Sequence, residues 1–352
     1  MPKKELTIKI DYLSIIFNTL KADELIRRLL GLPLEYFIIQ KAKVKHKDYT
    51  NLYQFGTIKV YGDRQLKDGT SEAGCYLVLS GQGCDDYYSF LQTTKHTYSD
   101  FFRTCLQLAG KGNFHLTRLD IAIDDKNDIP YFTVEQIKRK CLKDEFVSKS
   151  KSYRFSESSF DDDTAKTVYI GDGKSNISYR FYDKDKEQAG KYNLNYEEMG
   201  NWIRTELQLR DEMAHSFAML MCETFEELGN LAFDFLSTSL RFVNEDKTQT
   251  NKSRWKTCRF WERYLGAVKP LKLEIEKPSS SLQDTQQWLM EGGTLSAVKV
   301  FLFLEKYNAL GDLKDIQEMM NSAGYSVTLK QKLVSHLYRI ERTELVPMVN
   351  KI

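Results

Sequence analysis

The sequence predicts an α+β protein: a largely antiparallel sheet flanked by helices, followed by a helical C-terminal domain. Three observations carry this. Between residues 53 and 79, short alternating runs are broken by Gly56, Gly62, Gly69 and Gly74, the pattern of hairpins, which build antiparallel sheets. Two longer stretches, F-H-L-T-R-L-D-I-A-I-D-D (Phe114 to Asp125) and W-I-R-T-E-L-Q-L-R (Trp202 to Arg210), alternate apolar and charged residues with period two. From Asp284 to about Leu345 the period becomes that of three or four helices, punctuated by Gly292-Gly293, Gly311 and Gly324. At 352 residues the chain can hold two domains, which we place at 1–245 and 246–352.

In chain order, Leu6 to Phe17 reads as a strand behind a disordered basic tip, and Asp23 to Leu30 as a short helix closed by Gly31 and Pro33. S-G-Q-G at Ser80 to Gly83 reads as a tight turn, with a phosphate-cradling loop as the alternative. Asp100 to Ala109 is a helix ended by Gly110, and Thr133 to Cys141 another, with Thr133 and Gln136 at capping-box spacing. The serine- and acid-rich stretch Ser148 to Asp163 reads as a mobile loop. Thr167 to Gly171 and Ser178 to Tyr182 make a hairpin across D-G-K-S-N. Ala189 to Gly200 is a loop or short helix, Met213 to Val243 is helical, and Pro270 to Leu282 is a linker.

Lys+Arg is 51 and Asp+Glu 49, so a net charge of +2 excludes a bulk polyanion binder, and any nucleic-acid surface must come from local clustering. Six scattered cysteines without C-x-x-C spacing read as reduced thiols of a cytoplasmic protein. No signal core and no run of eighteen apolar residues occurs, so no membrane partner is expected. The five histidines include no H-x-H pair, which leaves a two-histidine metal site unsupported.

The chemistry concentrates on three strands. In S-Y-R-F-Y-D-K-D-K (Ser178 to Lys186), alternation sends Tyr179 and Phe181 one way and Arg180, Tyr182 and Lys184 the other. At neutral pH only roughly one tyrosine in a thousand is phenolate, and neighbouring cations raise that fraction. On the other two strands, Arg118, Asp120, Ala122 and Asp124, and Arg204, Glu206, Gln208 and Arg210, form the polar faces. A tyrosine attacking a phosphodiester needs a cation over the non-bridging oxygens and stabilisation of the leaving oxygen. Tyr182 is the candidate nucleophile, and Arg204 and Lys184 the candidate phosphate contacts. Asp120 and Glu206, with Asp124 third, are candidate ligands for Mg²⁺ or Mn²⁺. Acid–arginine pairs such as Asp120 with Arg204 are the competing reading. Arg118, Arg180 and Lys186 would bind DNA backbone. Lys252, Arg254, Trp255, Lys256 and Arg259, in the basic-aromatic segment Asn251 to Tyr264, would bind phosphates and stack on unpaired bases. Core anchoring by Trp255, Phe260 and Trp261 is the alternative there.

L-T-R-L-D-I-A-I-D-D, Y-I-G-D-G-K-S-N-I-S-Y-R-F-Y-D-K-D-K-E-Q and R-T-E-L-Q-L-R, in that order, resemble the core motifs of the Rep_trans family of replication initiation factors. I-D-Y-L-S and L-S-G-Q-G-C extend the resemblance over about residues 8 to 265. It implies nicking of one DNA strand through a tyrosine that stays joined to the 5′ phosphate, leaves a free 3′ hydroxyl and works with Mg²⁺ or Mn²⁺. By position the nucleophile is Tyr182 in a Y-x-K-x-x-E setting, with Tyr179, Tyr192 and Tyr196 as rivals, and the acids of L-D-I-A-I-D and R-T-E supply metal ligands. The partners implied are origin DNA (an origin of transfer or a double-strand origin), partly single-stranded or cruciform, and a host helicase; a homodimer is one compatible assembly. A relaxase of an integrative and conjugative element is the expectation, a plasmid or phage rolling-circle initiator the alternative, and a non-catalytic sequence-specific DNA-binding protein the alternative of another class.

Overall fold

The computed structural model describes residues 6–42, 49–65, 71–160, 163–192, 200–224, 228–266, 285–286, 289–290, 294–311, 313–325, 327–340 and 342–349. Its strands are β1 (Leu6–Phe17), β2 (Ile38–Lys41), β3 (Tyr49–Phe55), β4 (Ile58–Gln65), β5 (Ser71–Glu72), β6 (Cys75–Ser80), β7 (Phe114–Asp125), β8 (Phe146–Ser148), β9 (Tyr153–Phe160), β10 (Asp163–Ile170), β11 (Ile177–Asp183), β12 (Ile203–Arg210) and β13 (Leu240–Phe242). The helices of the same span are α1 (Ala22–Glu24, continued as a π turn over Leu25–Leu29), α2 (Gln82–Thr93), α3 (Tyr98–Ala109), α4 (Val134–Leu142), α5 (Lys184–Tyr192), α6 (Asp211–Thr224), α7 (Leu228–Ser239) and α8 (Arg259–Leu265). Further helices occupy Thr294–Lys306, Ile316–Ser322 and Val327–Arg339.

Contacts divide the chain into Met1–Thr19 with Tyr76–Ile275, and Leu20–Cys75 with Glu276–Ile352. This differs from a single cut at 245/246, because the basic-aromatic segment goes with the first unit and residues 20–75 with the second. The first unit carries strands in the order β6-β1-β7-β12-β11-β10-β9, antiparallel from β1 to β9. In the second, β2, β3 and β4 form an antiparallel meander with β5 on β4, joined by the C-terminal helices.

β1 and β7 span the residues that period-two alternation predicts, and α4 is capped as predicted, the Thr133 hydroxyl accepting from the Gln136 N–H. Four elements differ. Tyr153 to Phe160 is strand β9 and not a loop: its serines and Arg154 lie on an edge strand whose partner β10 satisfies only one side. Gly81, at φ +47°, is a turn as expected, but it launches α2. β11 stops at Asp183, so Lys184 opens α5 and does not continue the strand face. The helical stretch after Met213 ends at Ser239, where β13 begins and pairs β8. The N-terminal tip, Tyr196 and the Pro270–Leu282 linker fall outside the described residues. No helix among the described residues is long and apolar enough to cross a membrane, and all six cysteines are free and buried.

One face of the first-unit sheet packs on an aromatic cluster. Phe181, from the centre of β11, lies 5.9 Å from Phe132, 5.9 Å from Phe242 and 6.2 Å from Trp261, measured between ring centroids. Trp261 is fully buried, edge-on to Phe242 at 4.9 Å, with its indole N–H donating to the Leu240 carbonyl at 3.1 Å. Core anchoring is therefore what Phe260 and Trp261 do. This packing holds one face of β11 still while the opposite face carries Tyr182. Trp261→Ala should cost about 3–5 kcal/mol of unfolding free energy, read as a lowered urea midpoint with little change in slope.

Candidate active site on the polar face of the sheet

Register brings the predicted polar residues together. Across β11 and β12, Arg180 stands opposite Glu206 and Tyr182 opposite Arg204; across β12 and β7, Arg204 stands opposite Asp124, Glu206 opposite Ala122 and Gln208 opposite Asp120. The Tyr182 hydroxyl donates to Glu206 Oε1 at 2.5 Å, and Arg180 reaches Oε2 of the same carboxylate at 3.4 Å. Arg180 also lies over the Tyr182 ring, 4.1 Å from its centroid, with Lys184 at 5.5 Å.

The cations do not activate the phenol as the sequence suggested. Tyr182 is 2% exposed, and burial drives its pKa well above 10; Arg204 and Arg180 pull it down, but Glu206 and Glu187 oppose them. The phenol is therefore protonated. Glu206 is its acceptor, and that carboxyl is itself raised by burial and by Asp11.

Arg204 and Asp124 form a closed pair. Arg204 Nε and Nη2 donate to the two Asp124 oxygens at 2.6 and 2.8 Å, Arg204 Nη1 reaches Asp11 at 3.1 Å, and the Trp202 indole N–H donates to Asp124 at 2.7 Å. Burial alone would raise the Asp124 carboxyl, but Arg204 and these hydrogen bonds bring it below its usual value. At 1% exposure Arg204 does not present itself to a phosphate, and both Asp124 oxygens are engaged; the geometry makes them a buried clamp across β7 and β12. Asp120 pairs with Arg118, not with Arg204: Arg118 Nε and Nη2 approach it at 2.9 and 2.5 Å, and Gln208 donates at 3.2 Å. Burial raises the Asp120 carboxyl despite these donors.

The three predicted metal ligands thus share a face without converging. Each carboxylate is closed by an arginine, a tryptophan or a tyrosine, and among the described residues no three His, Cys, Asp or Glu side chains gather as a metal-holding group. The arrangement as it stands does not fit a hard cation, which asks for several free oxygen ligands.

Of the other candidates, Lys184 is buried and pairs with Glu187 at 2.6 Å, and Lys186 is half-buried on α5. Tyr179 faces the opposite side of the sheet, buried beside Ser148 and Ser239 and away from the carboxylates around Tyr182. The side chain of Tyr192 and all of Tyr196 lie outside the described residues. Lys252 bonds Asp144 at 2.6 Å, the half-buried Trp255 donates to the Gln249 carbonyl at 2.8 Å, and Arg254, Lys256 and Arg259 are exposed. This segment is anchored by Phe260 and Trp261 to the apolar face, so the fold does not bring it together with Tyr182. Sequence reasoning missed Asp11, carried at a register shift between Ile10 and Tyr12, and Arg154 of β9. The Y-R-F alternation at 153–155 was the available signal for the latter.

A seven-stranded sheet unit with a tyrosine–glutamate pair among arginines matches a known class. The replication initiation factor model matches residues 114–320, more than half of the chain, and that of the rolling-circle replication initiation protein N-terminal domain matches residues 7–104. The chain belongs to the replication initiation factor family. It is 32% identical over 311 residues to a protein of Bacillus subtilis (strain 168) described as a DNA relaxase, NicK, covering 87% of this chain and 84% of that one. It also resembles the solved rolling-circle replication initiator protein from Geobacillus stearothermophilus, with TM-score 0.61 and 27% identity, over 77% of this chain and all of that one.

Arg204→Ala should destabilise by about 3–5 kcal/mol in chemical denaturation, because it strands the buried Asp124 charge. A loss of DNA cleavage with unchanged stability would instead mark Arg204 as a phosphate contact.

Proposed function

We propose that this protein nicks and rejoins one DNA strand at an origin through Tyr182. The hydrogen bond from Tyr182 to Glu206 carries this reading. Glu206 takes the phenol proton as the Tyr182 oxygen attacks phosphorus; the bond to the 3′ oxygen breaks, that oxygen leaves and takes a proton from solvent, and a 5′-phosphotyrosine remains. A free 3′ hydroxyl reverses the sequence to rejoin the strand. Arg180, between the Tyr182 ring and Glu206, is the cation best placed for the non-bridging oxygens. Because Tyr182 is buried, its hydroxyl must become accessible for the phosphate to reach it.

Mg²⁺ or Mn²⁺ dependence belongs to the family resemblance. Such an ion would have to open the Asp120–Arg118 or Glu206–Arg180 contact, and no step above is routed through it. Relaxase activity for a conjugative element is favoured by the likeness to the NicK relaxase over 87% of the chain; replication initiation is the second reading, favoured by the likeness to the solved initiator. The chemistry is common to both. A purely DNA-binding role gives no reason for a tyrosine hydroxyl against a buried carboxylate.

Incubated with supercoiled plasmid carrying the element's origin and Mg²⁺ or Mn²⁺, the wild type should yield relaxed circles and an SDS-stable protein–DNA adduct. Tyr182→Phe should yield neither; an adduct from it would move the nucleophile elsewhere. Glu206→Gln should slow nicking by about 10²–10⁴-fold. Wild-type nicking should fall as pH drops through the raised Glu206 carboxyl, since the base must be ionised, and a profile unchanged in Glu206→Gln would remove it from that role.

A further inference from the structure

Beside Tyr182, on the same face, lies a pocket of about 310 Å³ that shares Arg180 and Glu206 with the nicking reading and extends beyond them to residues that reading does not use. Arg118, Arg154, Arg180 and Arg210 line it together with two acids, Glu206 and Asp172, so four cations face two carboxylates. Two of these arginines are incompletely satisfied: the Nε atoms of Arg180 and Arg210 are buried and have no hydrogen-bond partner among the described residues. A buried guanidinium N–H without an acceptor is costly, and two of them in one positively charged recess ask for an anion.

The pocket also has an aromatic wall. Arg154 of β9 lies over the Tyr169 ring, its guanidinium carbon 3.9 Å from the centroid, and Arg180 approaches the same ring at 5.7 Å. A guanidinium plane backed by a phenol ring is a platform on which a nucleobase can stack. The rim is made of backbone where β10 ends: Gly171, at φ +95°, is held so close that a Cβ there would meet the Ser178 Cβ at 2.9 Å. Only glycine keeps that wall open.

We infer that this pocket is a subsite for one nucleotide of single-stranded DNA flanking the scissile phosphate, with Arg210 holding its phosphate next to the one that Arg180 contacts and the Arg154–Tyr169 platform stacking its base. Arg180 sits one same-face step from Tyr182 on β11, about 6.6 Å along the strand, and Arg210, whose N–H bonds the Asn176 carbonyl, lies further along the same face, so a phosphate held at Arg210 belongs to a neighbour of the attacked nucleotide. The strand is single because a base must leave its duplex stack to reach the platform. The position beside Tyr182 rests on the nicking reading; the chemistry of the pocket does not.

The test is fluorescence anisotropy of labelled (dT)₁₂ between 50 and 200 mM salt, with circular-dichroism melts to confirm folding. Arg154→Ala/Arg210→Ala should lose about tenfold or more in affinity, and its slope of log K against log salt should be shallower by about 0.7 for each phosphate contact removed. Tyr169→Leu should lose about fivefold or more, whereas Tyr169→Phe keeps the platform and the affinity. If Arg210 variants do not fold, the exposed Arg154→Ala alone carries the same expectation. Unchanged affinity and slope in a folded variant, an equal loss on a twelve-base-pair duplex, or complete displacement of the oligonucleotide by millimolar inorganic phosphate would each overturn the subsite. Wild type that binds (dT)₁₂ through this pocket but never nicks would sink the nicking reading and leave the subsite standing; nicking with pocket-independent binding would do the reverse.

Discussion

The bidentate pair between Arg204 and Asp124 is the constraint on which the polar face depends. A guanidinium and a carboxylate in the middle of a sheet are tolerable only if each neutralises the other, and here Asp11 and the Trp202 indole complete the set. The pair ties β1, β7 and β12 in one register. That register fixes where Glu206 stands, and Glu206 fixes the Tyr182 hydroxyl.

The same accounting explains why the phenol is not activated in advance. Three cations, Arg180, Lys184 and Arg204, stand near Tyr182, yet burial and the carboxylates of Glu206 and Glu187 hold its pKa up. A permanently ionised phenol in a buried site would need a permanently bound counter-charge. A neutral phenol donating to a carboxylate needs none. The polar face thus divides its arginines: Arg204 and Arg118 are committed to Asp124 and Asp120, while Arg180 and Arg210, which line the pocket, keep buried Nε donors without an acceptor among the described residues.

Much of the fold was legible. The limits of β1 and β7 follow from alternation, and the hairpin of β10 and β11 from D-G-K-S-N between two alternating runs. The co-facial placement of Tyr182, Arg204, Glu206, Asp120 and Asp124 was legible too, because side chains two apart on a strand point the same way. β9 was not, since an edge strand rich in serine carries no apolar stripe on its solvent side. Lys184 was misplaced by one residue of strand, which is enough to move a side chain onto a helix. The basic-aromatic segment resembled a DNA-binding surface because composition does not say which rings face inward; Phe260 and Trp261 do.

By itself, then, the sequence determined the two faces of the strands and the candidates for chemistry, because period two is a local property of the chain. Only the tertiary structure decided the partners: Asp120 with Arg118, Asp124 with Arg204, Glu206 with Tyr182. It also decided that Tyr182 is a protonated donor. Pairing depends on strand order and register between segments up to 193 residues apart, as with Arg204 and Asp11. Protonation depends on how much water the assembled layers exclude, which no single strand encodes.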